Sequence, residues 1–554
     1  MKRYDDINPE DIFLDSANLP GFKDYAFEGR LEKPIGERTF LVTKTIFVVI
    51  ILALFSKLWM LEIKDGPVYA KLSEENRLES SLVFANRGAI FDRYGTELAG
   101  NDIKEKGSEF AGRRYASFDG LAHLVGYIKY PLADSGGFYY EEDYRARDGV
   151  ERSYDSVLAG ENGVRLVETD VLGNTTSESI IEKPKDGESI TLSVDAELTQ
   201  ELYRAIEALA QSSGFVGGAG VIMAVDTGEI LALTSYPQYN QNKLTAGVSQ
   251  EEFGALISDT KKPFLNRAVS GLYTPGSIIK PILATAALKE GIISPNKEIL
   301  STGSIIVPNP YDSDRPSVFK DWKAHGYTAM KEALAVSSDT YFYSIGGGYG
   351  DQKGLGIALI DEYLSLFGLN ELTGIKLSGE LQGIVPTPAW KSEKFDGDIW
   401  RLGDTYITAI GQYGTQVTPL NAARMTVAIA NKGKLLQPTL ILGEKGHTQR
   451  FIEVPESIWK IVHEGMREGV EYGTSVGLNV PFVEIAAKTG TAEIGSGKRF
   501  VHSWSIGFFP YKTPKYAWAV VMERGPVTNS VGATSVMRKV LDWAYWNREE
   551  YMLD

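Results

Sequence analysis

Thr274-Pro-Gly-Ser277-Ile-Ile-Lys280-Pro-Ile-Leu-Ala-Thr-Ala-Ala-Leu288 is a turn running into an apolar helix. Thr274-Pro-Gly276 supplies the turn signal, and Ile278 to Leu288 the helical stretch. Pro281 has no N–H to give to the carbonyl of residue 277, so it is least costly near a helix start. Ser277 therefore stands at or beside the N-cap, where the helix dipole favours negative charge on its oxygen. Lys280 follows one turn along, on roughly the same side. A serine hydroxyl needs a base to act as a nucleophile, and a buried, neutral lysine is one. The bare pattern is cheap, because Ser-x-x-Lys recurs at Ser258, Ser294, Ser317 and Ser457. What singles out Ser277 is the turn before it, the helix after it, and the order of what lies downstream.

Two further groups complete the set. Ser337-Ser-Asp339 follows a helical stretch, Met330 to Val336. Lys488-Thr-Gly-Thr491 follows the mostly apolar Val483 to Ala487 and reads as a strand edge facing a cleft. In this arrangement Ser337 bridges Lys280 and a leaving amine, and Asp339 orients Lys280. The expected division of labour is that Lys280 accepts the proton of Ser277 while Lys488 stays charged and faces substrate. Thr489 and Lys488 bind a terminal carboxylate, and Gly490 admits a substrate backbone. The N–H groups of Ser277 and Thr491 form an oxyanion hole, usually the largest electrostatic contribution to acyl transfer.

Composition narrows the class. The chain has 554 residues and a net charge of −15, with no basic stripe, which argues against a nucleic-acid partner. It has no cysteine, and its five histidines (123, 325, 447, 463 and 502) do not pair at metal-ligand spacing. No metal and no cofactor is expected. Thr45 to Phe55 is apolar after its first residue, Lys57 interrupts, and Leu58-Trp59-Met60-Leu61 resumes. From Thr43 to Ile63 that is roughly 20 residues, enough for one bilayer crossing, with Lys57 snorkelling and Trp59 at the interface. The basic residues ahead of it (Lys2, Arg3, Lys23, Arg30, Lys33, Arg38 and Lys44) place the N-terminus inside.

The expected organisation is a disordered cytoplasmic tail (1–40), a transmembrane anchor (41–64), a strand-rich pedestal (65–188) and an α/β catalytic domain (189–554). In the last, Thr191 to Val194 reads as a strand, and Leu198, Leu202, Ile206 and Leu209 recur at helical spacing. Gly220 to Val225, Ile230 to Ser235, Ser503 to Phe509 and Tyr516 to Met522 read as strands, and Val531 to Trp546 as a closing helix. Strands from both ends of the domain thus build one antiparallel sheet around a helix-rich middle. Gly346-Gly-Gly348 reads as a flexible loop.

Longer stretches carry a resemblance. Lys488-Thr-Gly-Thr-Ala-Glu493, Ser503-Trp504-Ser-Ile-Gly507-Phe-Phe-Pro510, Arg87-Gly88, Asp92-Arg93, Glu151, Gly403-Asp404-Thr405, Ile410-Gly-Gln412 and Thr418-Pro-Leu420 resemble the motifs of class B penicillin-binding proteins. These are monofunctional D,D-transpeptidases of peptidoglycan synthesis, and the three short motifs are a known signature of the wider group. Asp339 with Thr340-Tyr-Phe-Tyr343 is similar to the elongation-type branch, penicillin-binding protein 2. The resemblance implies the penicillin-binding transpeptidase fold with a helix-rich second lobe. It implies a serine acyl-enzyme that cross-links stem peptides, acylation by β-lactams, and a place in the bacterial inner membrane with the catalytic domain on the extracytoplasmic side. It also implies a partner, a membrane-embedded glycan polymerase of the shape–elongation–division–sporulation family. Residues 100–122 alone separate Ala99 from His123, so the head subdomain of such relatives is reduced here. Some relatives bind zinc near the equivalent of Asp321 to His325 through a cysteine; this chain lacks cysteine, and the site is not carried over. The rivals are a D,D-carboxypeptidase and a non-catalytic scaffold or β-lactam sensor. A β-lactamase lacks a nameable deacylating base here. A built-in glycosyltransferase does not fit in the roughly 120 residues between anchor and catalytic domain.

Overall fold

A computed structural model describes residues 37–75, 77–102, 109–135, 139–169, 175–309, 314–495 and 497–553. The tail expected to be disordered lies outside them as far as residue 36. The chain forms two units. One runs to Ser81 and takes in Arg165–Ile181; the other comprises Leu82–Val164 and Glu182–Asp554. Residues 82–164, on the pedestal side of the division expected at 188/189, fall in the same contact unit as the catalytic residues.

In the first unit a helix, Glu37–Trp59, continues into a π turn, Met60–Lys64. Phe40–Lys64 has a mean hydropathy of 2.3, and 0% of its most apolar window is buried. That exposure distinguishes it from a core helix. At 1.5 Å per residue its length exceeds the hydrocarbon thickness of about 30 Å. Strands Arg77–Val83, Gly163–Thr169 and Thr175–Glu182 pair in that order as a small sheet. Arg165 ties it together, donating to Ser81 Oγ at 2.7 Å and to Glu178 at 2.9 Å.

The second unit begins with β1 (Ile90–Phe91), β2 (Glu97–Asn101), β3 (Arg113–Tyr115) and β4 (Ile190–Thr191), ordered β4-β1-β2-β3. The strand expected over Thr191–Val194 is this shorter one. Past it, Val194 takes up the pedestal turn, its carbonyl accepting from Arg93 N–H at 2.9 Å. The Asp92 carboxylate closes that turn by accepting from Tyr94 N–H (2.9 Å) and Thr96 N–H (2.7 Å), and from Ala196 N–H at 3.4 Å. These bonds explain why the pedestal residues and the catalytic body form one unit. Beneath the sheet, Arg87 and Arg113 grip one buried carboxylate: Arg87 Nε lies 2.6 Å and Arg113 Nε 2.8 Å from Glu151. Tyr115 OH donates to the same group at 3.2 Å.

Helix α1 (Ala196–Ser213) follows, started by Asp195, whose side chain accepts from Leu198 N–H. The central sheet contains β5 (Gly217–Ala224), β6 (Ile230–Tyr236), β7 (Ala486–Ile494), β8 (Phe500–Phe509) and β9 (Tyr516–Pro526), all antiparallel and ordered β6-β5-β9-β8-β7. Chain ends thus meet at β5 and β9, and β7 forms one edge. Both faces are covered. Leu202 and Ile206 of α1 join Val536, Met537 and Val540 of the closing helix Ala533–Asn547 against Ile222, Trp518 and Val520. Val221, Leu233, Ile506 and Val521 meet the apolar helices of the middle segment on the other side. Each such buried aliphatic side chain contributes about 1.5–3 kcal/mol. Gly507 sits opposite Trp518, and a Cβ there would come within 2.3 Å of the indole.

The middle segment carries α2 (Lys280–Lys289), α3 (Met330–Ala335) and α4 (Asp339–Gly347). The Gly346–Gly348 loop expected from composition is instead the end of α4, with Gly348 as its C-cap. Packing explains the glycines: a Cβ on Gly346 would lie 2.4 Å from Ala409 Cβ, and one on Gly347 2.5 Å from the Tyr406 ring.

Replacing Glu151 by Ala strands the buried Arg113 guanidinium without its counter-ion and leaves Arg87 only Asp155, 2.7 Å away, so Glu151→Ala should cost about 3–5 kcal/mol of stability. Denaturant unfolding of the solubilised protein measures this, and a loss under about 1 kcal/mol would remove the network from the fold's essential contacts.

Candidate active site

Three elements distant in the chain close on Ser277, and glycine makes the approach possible. Gly276 has φ +57° and donates its N–H to Gly411 O at 2.9 Å. A Cβ on Gly411 would stand 2.1 Å from Gly276 O, and one on Gly490 2.7 Å from Pro275 O. Trp504 of β8 holds the same turn from below, its indole N–H donating to Thr274 O at 2.9 Å. The expectation that Gly490 makes room for substrate backbone changes accordingly: the space beside its Cα is filled by the nucleophile turn. Ser277 lies in a 3-10 turn, Gly276–Ile279, which runs straight into α2 with Pro281 at its first positions. Ile278 and Ile279 are fully buried, whereas Ser277 is half-buried. Its side chain makes no hydrogen bond to any described residue.

Lys280 is 0% exposed. Its amine lies 2.6 Å from Asp339 Oδ1, 2.9 Å from Ser337 O and 3.3 Å from Ser337 Oγ, with the Phe342 ring centre at 5.2 Å. Those three oxygens occupy all three hydrogens of an ammonium group. Ser337 presents carbonyl and hydroxyl together because it adopts φ +59°, a left-handed conformation uncommon outside glycine. Ser338 caps α4 by accepting from Tyr341 N–H at 3.3 Å.

Lys488 points inward from β7 and is 1% exposed. It lies 2.8 Å from Ser337 Oγ and 2.9 Å from Thr489 O. The structure thus joins Lys280, Ser337, Asp339 and Lys488 around one hydroxyl, one helical turn from Ser277. The two amines have different surroundings. Burial, reinforced by the Lys280 ammonium, holds the Lys488 amine well below the ordinary lysine value, with Asp339 pulling the other way. The carboxylate contacts Lys280 directly, so Lys488 is the amine driven toward neutrality.

Thr489 and Thr491 lie on the opposite face of β7 from Lys488. Thr489 donates its hydroxyl hydrogen to Thr474 Oγ1 at 2.7 Å. Thr491 is exposed, and its carbonyl faces Gly276, where a Cβ would meet it at 2.9 Å. In an antiparallel strand a residue's N–H and C=O point the same way, so Thr491 N–H lies on the open edge as well.

Residues that the sequence did not single out for this role also reach the site. Asp321 accepts from Thr340 N–H and Ser338 Oγ, and Thr474 fixes Thr489. Only Gly411 had a signal, within Ile410-Gly-Gln412. The metal site of some relatives does not fit here. Asp321 and His325 supply two donors where a structural zinc takes four, and among the described residues no group of three or more His, Cys, Asp or Glu is placed to hold a metal.

Comparison with known proteins identifies the family. Residues 218–542 match the family described as penicillin binding protein transpeptidase domain, and residues 108–192 the penicillin-binding protein dimerisation domain. The peptidoglycan D,D-transpeptidase MrdA of Acinetobacter baumannii is 32% identical over 78% of this chain and 66% of its own length. The MrdA of Salmonella typhimurium is 30% identical over 78% of this chain and 73% of its own length. A solved structure described as the structural coordination of polymerization and crosslinking by a peptidoglycan synthase complex superposes with a TM-score of 0.70. It is 27% identical and covers 93% of this chain and 99% of that one. The serine–lysine cleft falls inside the matched segment, and the chain belongs to the penicillin-binding transpeptidases, serine-type peptidoglycan D,D-transpeptidases with a dimerisation domain ahead of the catalytic one.

Proposed function

We propose that the chain cross-links stem peptides through an acyl-enzyme on Ser277, and that a proton shuttled between two lysines by Ser337 arms the serine. The observation that carries this is one hydroxyl within hydrogen-bond distance of both amines. At rest Lys280 is the ammonium and Lys488 the amine. A substrate whose terminal carboxylate docks against the exposed Thr491 hydroxyl of β7 favours positive charge on Lys488 through the strand. Lys280 then gives a proton to Ser337 Oγ, and Ser337 gives its own to Lys488. Lys280, now neutral, takes the Ser277 proton as Oγ bonds to the carbonyl carbon of the penultimate D-alanine. The N–H groups of Ser277 and Thr491 hold the resulting oxyanion. The C–N bond breaks, and Lys280 returns the proton through Ser337 to the departing D-alanine amine. An acceptor amine attacks the ester, its proton passes into the same relay, and Ser277 is released.

β-Lactams, which present an acyl group and a carboxylate in like disposition, acylate the same serine. The exposed helix Phe40–Lys64 anchors the protein in the cytoplasmic membrane with the catalytic unit outside. A membrane-embedded glycan polymerase is the partner, in line with the synthase complex to which this chain is similar over 93% of its length. Asp339 and Thr340 to Tyr343 place the chain with elongation-type members.

Fluorescent penicillin should label the wild-type protein covalently and fail to label Ser277→Ala; equal labelling would refute the site. With cross-linkable substrate the product should be a peptide dimer, whereas release of D-alanine without dimer would mean a carboxypeptidase.

Lys488→Arg separates the relay from a fixed-cation role. Arginine keeps the charge but cannot become neutral, so acylation should fall by about 100-fold, the scale of a lost proton-transfer step. Retained activity would eliminate the relay. For the wild type the sign is fixed by the depressed Lys488 value: acylation should rise with pH as Lys488 loses its proton and fall on acidification below that point.

The absence of native cysteine makes topology testable. Glu251→Cys, at an exposed position, should react with a membrane-impermeant maleimide in intact spheroplasts. Reaction only after lysis would reverse the orientation.

A further inference from the structure

Asp321 belongs to none of the three motifs. It follows the strand Ser317–Lys320, in a loop whose next residue, Trp322, is 57% exposed. Yet its own side chain has 0% exposure. Oδ2 accepts from Thr340 N–H at 2.9 Å, from Ser338 Oγ at 3.0 Å and from Ser301 Oγ at 3.3 Å. Oδ1 accepts from Trp322 N–H at 2.8 Å, and His325 Nε2 lies 3.4 Å away.

We propose that Asp321 is a positioning residue for acyl transfer, clamping the first turn of α4 so that Ser337 and Asp339 keep their grip on Lys280. The two α4 groups it holds, the hydroxyl of 338 and the amide of 340, bracket Asp339, whose carboxylate points the other way to Lys280 at 2.6 Å. Ser337 is next in line and sits in a left-handed conformation, which persists only where the surroundings over-determine it. On its N-terminal side the restraint is one long bond, Ser337 N–H to Leu334 O at 3.3 Å. On its C-terminal side the restraints are Ser338 N–H to Ala333 O at 3.0 Å and the Asp321 pair. Thr340 N–H is also one of the donors that a helix start leaves without an intrahelical partner, and a buried anion is well suited to it. The clamp is made by direct hydrogen bonds: both oxygens of Asp321 already serve protein donors, and no third metal-ligating side chain stands beside it and His325 among the described residues. The same contacts tie the exposed loop around Trp322 to the relay.

This inference rests on the acyl-transfer roles proposed above, and the test separates the two. The full-length, detergent-solubilised protein is mixed with fluorescent penicillin, and the acylation rate constant is resolved from the non-covalent Kd. Wild-type protein that does not acylate would sink the acyl-transfer reading itself. With wild type active, Asp321→Ala should acylate about 100-fold more slowly, the scale of a displacement of about 1 Å at the chemistry. Its Kd should stay within about threefold, since Asp321 does not touch ligand. Asp321→Asn, which keeps one carbonyl oxygen for the α4 donors, should recover at least about tenfold of that loss. An Asp321→Ala protein that acylates at the wild-type rate overturns the clamp, as does an asparagine variant no faster than alanine. If Asp321→Ala does not fold, Ser338→Ala carries the test. It breaks one arm of the clamp, and should slow acylation about tenfold with Kd unchanged. An unaltered rate there overturns the clamp equally.

Discussion

Two buried amines share one hydroxyl, and that constraint governs the rest of the catalytic unit. Two ammonium groups bonded to the same oxygen in a site closed to water would repel by a few kcal/mol even at an effective dielectric near 20, on top of the cost of burying each. One carboxylate is available, and the backbone gives it to Lys280: Asp339 begins α4, and the left-handed Ser337 before it turns the chain so that hydroxyl, carbonyl and carboxylate face the same amine. Lys488 receives only neutral oxygens.

That cluster exists because the sheet is assembled from both ends of its domain. β5 and β6 come before the helical middle, and β7 to β9 after it. The pairing of β5 with β9 closes the loop, and the order leaves β7 at the edge nearest the turn that carries Ser277. Edge position frees the backbone of Thr491 for substrate, and Gly276, Gly411 and Gly490 remove the Cβ atoms that would keep turn, loop and strand apart. Any larger residue at these positions would separate nucleophile from base by moving whole elements.

Much of this was legible in residue order. Pro281 fixed where α2 begins, hence where Ser277 sits, because a missing N–H has a local consequence. The strands of the sheet read as apolar runs because both faces are covered, and the anchor helix read from length and hydropathy alone. What was not legible depends on choices made in space. Asp339 had two lysines to serve, and only the fold pairs it with Lys280. Asp321 is a single acidic residue in a loop, indistinguishable in sequence from a solvated one, and its burial comes from the α4 turn folding over it. Gly346 and Gly347 suggested flexibility, whereas Ala409 and Tyr406 are what they make room for. The bonds from the turn at Asp92 to residues a hundred positions later were illegible for a similar reason.

An aspartate at 339 makes physical sense once the cluster is counted as a whole. Asp339, Lys280 and Lys488 with one shared proton between the amines sum to zero charge. Passing that proton from one amine to the other through Ser337 leaves the sum at zero, so the transfer costs no net desolvation of charge. A second proton would leave a buried cation, and an amide at 339 would leave the single proton without its counter-ion. The balance between the two zero-charge arrangements is then set by whatever lies outside the cluster. At rest the close ion pair favours the proton on Lys280. An anionic group arriving at the open edge of β7 favours it on Lys488. In the relay proposed for this site the serine is thereby armed by the same carboxylate that marks the end of the peptide to be cut, and a site without substrate keeps its base occupied.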